Sequence, residues 1–122
     1  MQDPHFKRFF LERDRELFKL KDKSGNLPLQ LAVYAGVNDI LFSELLAIFP
    51  DSISSTNNRG NTILHTAMIS PYFNTKLVMK ICRLCKRYGV DLLPVTNIKG
   101  RTVEYYADKY KRGKISQFFL TT

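Results

Sequence analysis

The chain has 122 residues, 44% of them apolar and 25% charged, which fits one folded domain and excludes both a disordered chain and two independent cores. Its net charge of +8 is uneven: residues 1–23 carry +2, residues 24–58 carry −3 with no Lys or Arg, and residues 59–122 carry +9. No run approaches the roughly 18 apolar residues that cross a bilayer, and "MQDPHFKRFF" has neither the apolar centre nor the cleavage site of a signal peptide. The reading is therefore an intracellular domain, cytoplasmic or nuclear, whole or part of a longer protein. Its basic C-terminal half either attracts acidic peptides, nucleic acid or anionic lipid, or is a solvated face with no specific partner.

In chain order, Phe6, Phe9, Phe10, Leu11, Leu17 and Phe18 stand among charges. They predict one helix, or two short ones, within a cap over residues 1–21. Three segments then align on glycine: "DKSGNLPLQLA" from Asp22, "NNRGNTILHTA" from Asn57 and "NIKGRTVEYYA" from Asn97. Gly25 and Gly60 lie 35 residues apart, and Gly60 and Gly100 lie 40 apart, a period that indicates a solenoid. Asp or Asn ahead of Gly is turn chemistry. Thr62 and Thr102 follow where a hydroxyl caps a helix, and Pro28 fits a first helical position. Each turn thus predicts a short helix: Pro28 to Ala35, Ile63 to Ile69 and Val103 to Tyr110.

A second helix follows in each unit: Asp39 to Phe49, Thr75 to Tyr88 and Lys114 to Leu120. In the middle one Leu77, Ile81, Leu84 and Tyr88 recur at helical spacing as a buried stripe. Lys76, Lys80, Arg83 and Arg87, with Lys86 beside them, form a basic edge. Cys82 and Cys85 have CxxC spacing, but no second CxxC or HxxxH accompanies them. They read as two reduced thiols along a helix edge. No phosphate-loop, dinucleotide, nucleophile-elbow or HExxH motif is present. His65 with Cys82 or Cys85 lacks an orienting third group, so the expectation is no enzyme, no cofactor and no metal.

The unit resembles the ankyrin repeat, a turn with Asp and Gly followed by a Thr-Pro-Leu-His box, an Ala and two antiparallel helices. "GNTILHTA" matches at Gly60, Thr62, Leu64, His65 and Ala67, while the first unit matches at Asp22, Gly25, Pro28, Leu29, Ala32 and Gly36, with Leu27 and Gln30 in place of Thr and His. The third unit keeps Gly100, Thr102 and Ala107. Locally the chain is also similar to ankyrin repeats of vanilloid-type TRP channels and of small inhibitor-of-NF-κB-like proteins. The resemblance implies an all-α ankyrin-repeat solenoid of helix-turn-helix units joined by β-turn or hairpin-like loops. Its parts are a cap (1–21), repeats at 22–56 and 57–96, and a degenerate capping repeat at 97–122. "SPYFN", residues 70–74, replaces the glycine that normally separates the helices and predicts a longer loop.

The resemblance further implies a protein-interaction module that meets its partner through turn tips and the exposed side of the first helices. In this chain those positions include Lys23, Asn26, Tyr34, Asn58, Arg59, Asn61, Ile69, Lys99, Arg101, Lys109 and Tyr110. They are basic and aromatic with no acid among them, which favours an acidic segment of a partner protein. The alternative is nucleic acid or an anionic membrane surface on the convex residues Lys76, Lys80, Arg83, Lys86 and Arg87. With so few repeats a homodimer is a further option, and Phe6, Phe9 and Phe10 are where it would form.

Overall fold

A computed structural model describes residues 15–120, with only the backbone given for Ser116, Phe119 and Leu120. The described residues are all-helical, without a strand. Six α-helices follow one another: α1 (Pro28–Tyr34), α2 (Asp39–Ile48), α3 (Ile63–Ile69), α4 (Thr75–Tyr88), α5 (Val103–Lys109) and α6 (Ile115–Leu120). Two 3-10 helices, Arg15–Lys19 and Pro50–Ser54, complete the order. No helix among the described residues is long and apolar enough to cross a membrane.

The helices start where local chemistry satisfies their first N–H groups. Pro28 opens α1 at a position where its missing N–H costs nothing. The Asn38 side chain accepts from Leu41 N at 2.7 Å ahead of α2. Asn74 accepts from Lys76 N and Leu77 N at 2.9 and 3.3 Å ahead of α4. Thr62 caps α3 by accepting from His65 N at 3.3 Å. Thr102 occupies the same backbone position before α5 but makes no capping hydrogen bond through its side chain, so the cap expected there is absent.

The three first helices pack side by side, α1 on α3 and α3 on α5, while α2, α4 and α6 form a second row in the same order. The core lies between the rows. Phe42, Leu46, Ile63, Leu64, Met68 and Ile81 are each buried to 1% exposure or less. In α4 the buried stripe is wider than expected and shifted: Leu77, Val78, Ile81, Cys82, Leu84 and Cys85 face inward, whereas Tyr88 is 47% exposed. Cys82 and Cys85 are therefore core residues, not edge residues. Both are free, and burial pushes each thiol up to about 12, which leaves them protonated and unreactive.

Of the expected N-terminal cap, residues 15–19 form a 3-10 helix that packs against α1, with Leu17 exposed and Phe18 half-buried. Phe6, Phe9, Phe10 and Leu11 lie outside the described residues.

Candidate partner-binding groove

The three turns are built alike. In each, one Asx side-chain oxygen accepts two backbone N–H groups: Asp22 from Ser24 and Asn26 at 2.9 and 2.8 Å, Asn57 from Arg59 and Asn61 at 2.9 and 3.0 Å, and Asn97 from Lys99 and Arg101 at 3.0 Å each. The same residue's N–H returns to the carbonyl four residues on, at 3.0 to 3.1 Å in all three. These bonds hold Asp22 below the ordinary carboxylate range, the Asn26 N–H being the chief cause.

Successive turns are stapled to one another. Asn58 N donates to Ser24 O and Ile98 N to Arg59 O, both at 2.9 Å. Asn57 Nδ2 donates to Asn26 Oδ1, and Asn97 Nδ2 donates to Asn61 Oδ1, both at 3.0 Å. The approach is close enough to need glycine. At Gly25 (φ +79°) a Cβ would stand 2.9 Å from Asn58 N, and at Gly60 (φ +77°) 3.1 Å from Asn97 Cα, distances compounded by a left-handed backbone.

A second staple joins each first helix to the next turn. Gln30 Oε1 accepts from Leu27 N at 3.2 Å while its Nε2 donates to Asn61 O at 3.0 Å. One unit on, His65 Nδ1 accepts from Thr62 N at 3.1 Å and Nε2 bonds Arg101 O at 3.0 Å. The Thr62 donor requires a bare Nδ1, so the proton sits on Nε2 and is given to the carbonyl. Glutamine and histidine thus perform one task, an acceptor facing back and a donor facing on. At the third unit Tyr105 takes this place, is 39% exposed, and lies beneath the Arg101 guanidinium at 4.3 Å.

Burial lowers the His65 pKa from 6.5, against the bond to Arg101, which acts to raise it. A native value below the unfolded one means that the unfolded chain takes up the proton first. Stability from this site is therefore complete above about pH 6.5 and declines as pH falls below it toward the native value. Urea midpoints compared at neutral pH and at about pH 5 are expected to show this decline, and His65→Gln to remove that part of it. An unchanged slope in the variant would show that His65 does not titrate on unfolding.

The turns and the row α1–α3–α5 enclose a groove formed by two adjoining hollows, of about 380 and 390 Å³, that share Arg59, Asn61 and Ile69. Of the residues expected to meet a partner, Asn26, Tyr34, Arg59, Asn61, Ile69, Lys99, Arg101, Lys109 and Tyr110 line it. Lys23 and Asn58 do not: they sit exposed at the turn tips, Asn58 Nδ2 donating to Lys23 O at 3.1 Å. Asn61 lines both hollows while only 7% exposed, with its carbonyl and its Oδ1 engaged.

Leu31, 44% exposed on the groove wall, and Tyr106, buried at its floor with its hydroxyl accepting from Asn97 Nδ2 at 2.9 Å, were not expected there. The helical period carries Leu31 one step from Tyr34 on the same face. Counting i and i+3 would have found it. Tyr106 stacks on Tyr110 with ring centroids 6.3 Å apart. Lys109 Nζ lies 5.5 Å over the Tyr110 ring. Of the alternative basic set, Lys76, Arg83, Lys86 and Arg87 are exposed on α4 and Lys80 is half-buried; none of them lines the groove.

The loop 70–74 between α3 and α4 is held from two sides. Ser70 Oγ donates to Tyr34 O at 2.7 Å and accepts from Tyr72 N at 3.0 Å. Arg112 donates to Met68 O at 3.1 Å and Ser70 O at 2.8 Å. It thereby closes the C-terminal end of α3 with a positive charge, the sign a helix end favours. Among the described residues no group of three or more His, Cys, Asp and Glu is placed to hold a metal ion.

No protein-family model matches the chain, and no curated protein matches it.

Proposed function

We propose that the chain is a short ankyrin-repeat solenoid, without catalytic role, that binds another protein by receiving an acidic segment of it in the groove. The observation that carries the reading is the groove's charge. Arg59, Lys99, Arg101 and Lys109 line it, and no Asp or Glu does. Among the described residues none of the four is ion-paired with a carboxylate, so their field is directed at whatever enters. Tyr110 and Tyr34 add rigid, amphipathic contact area of the kind that anchors interfaces. The repeated turn, with its Gln30 and His65 staples, supports the ankyrin part of the reading.

A second reading rests on α4, where Lys76, Lys80, Arg83, Lys86 and Arg87 stand in a helix with no acidic residue. It gives nucleic acid or anionic phospholipid as the ligand. Titration of a labelled Asp/Glu-rich peptide separates the two. Arg59→Glu/Lys99→Glu is expected to weaken its binding at least about tenfold, and Arg83→Glu/Arg87→Glu to leave it within about twofold. The reverse pattern, with steeply salt-dependent binding of any nucleic acid sequence, would transfer the function to the convex helix.

A further inference from the structure

The groove's two halves differ in chemistry. The first, between the first two turns, takes its side chains from residues 24–61 and α3. Residues 24–58 contain no Lys or Arg at all, so this half has no cation before Arg59 at its far edge. Several of its polar side chains are already engaged. Asn26 Oδ1 is occupied by Asn57 Nδ2, Gln30 bonds at both ends of its amide, and Thr66 Oγ1 donates to Thr62 O at 3.1 Å. Open beside the exposed Ser24 are Leu31 at 44% and Tyr34 at 48% exposure, with Ile69 half-buried between them and the next half. The second half holds the cations: Arg59, Lys99, Arg101 and Lys109 stand around Tyr106 and Tyr110, with Ile98 exposed among them.

We infer that the groove is a composite site whose partner segment carries an acidic stretch for the second half and, about three residues from it, a bulky apolar side chain for Leu31 and Tyr34. The inference rests on the protein-binding reading above and specifies its ligand. The spacing follows from geometry. The two halves are one helix step apart, packed helices lie about 8–10 Å from axis to axis, and an extended chain advances about 3.3 Å per residue. An acidic run alone fills one half only and leaves the apolar wall in water.

The test uses three labelled peptides and fluorescence anisotropy at low and high salt. One has an acidic run alone, one adds a leucine about three residues from the run, and one places that leucine far beyond the groove's reach. The second is expected to bind at least about tenfold more tightly than either other. Leu31→Ala should abolish that advantage without changing the salt dependence. Lys99→Glu/Lys109→Glu should weaken all three and flatten it. Thermal melts of both variants establish that they fold. Equal affinities for the three peptides would overturn the composite site and leave the acidic-segment reading standing. No binding by any of them would overturn both. A dimer in sedimentation that Leu31→Ala dissociates would overturn the inference in favour of a second copy of this chain on the apolar wall.

Discussion

His65→Leu is expected to destabilise the fold by about 3 kcal/mol, whereas His65→Gln costs about 1 kcal/mol or less. Leucine fills the volume but offers neither acceptor nor donor. Thr62 N–H, buried at the start of α3, loses its partner at Nδ1, and the Arg101 carbonyl loses Nε2. A buried donor left unsatisfied costs about 1–3 kcal/mol, and the lost bond to the next turn adds about 1. Glutamine keeps both functions, because Gln30 already performs them one unit earlier with an oxygen 3.2 Å from Leu27 N and a nitrogen 3.0 Å from Asn61 O. Denaturant midpoints of the two variants, read at neutral pH where the imidazole is uncharged, give the comparison directly. If leucine is tolerated as well as glutamine, the staple between the second and third turns contributes nothing, and the edge-on contact of His65 with Tyr106 at 5.9 Å would be left as its role.

The sequence carries the local part of this structure well and the stacking part poorly. The limits of α3 and α4 are those the pattern predicts: Thr62 caps one, and the other runs from the Asn74 cap to the left-handed Gly89. α1, α2, α5 and α6 each come out one residue shorter than predicted, as fraying ends do. The 3-10 helix Pro50–Ser54 went unpredicted, since a single turn built on proline has no period to read. Tyr88 continues the i, i+3, i+4 stripe of Leu77, Ile81 and Leu84, yet it lies in the last turn of α4 and reaches water. Of the groove's basic residues, Arg59, Lys99 and Arg101 are legible as turn residues and Lys109 as the exposed side of a first helix. The burial of Asn61 depends on Asn97, 36 residues away, and Gln30, a departure from the His box by sequence, makes that histidine's two bonds through Leu27 N and Asn61 O. Partners that distant leave no mark in the local pattern, and only stacking the turns brings them together.

The same dependence on neighbours makes the three Asx turns unequal, and Asn97 is expected to be the most sensitive of them. Its Oδ1 accepts the N–H groups of Lys99 and Arg101 while its Nδ2 donates to Asn61 Oδ1 at 3.0 Å and to the Tyr106 hydroxyl at 2.9 Å, in a site 7% exposed. Asn97→Ala removes all four bonds, and at about 0.5–1.5 kcal/mol each the expected loss is about 3 kcal/mol. Asn97→Asp preserves the turn but not the amide donor, so it should fall between alanine and wild type. Asn57 donates once to the preceding turn, to Asn26 Oδ1, and is only half-buried, so Asn57→Ala is expected to cost less. Asp22 stands at the exposed first turn, where water can replace its bonds. Asp22→Ala is expected to be the mildest of the three alanine variants, and Asp22→Asn close to neutral. Thermal denaturation of the alanine series therefore ranks Asn97 above Asn57 above Asp22. A flat series would mean that the turns are held by their backbone bonds alone, and that the amides between them serve only to line the groove.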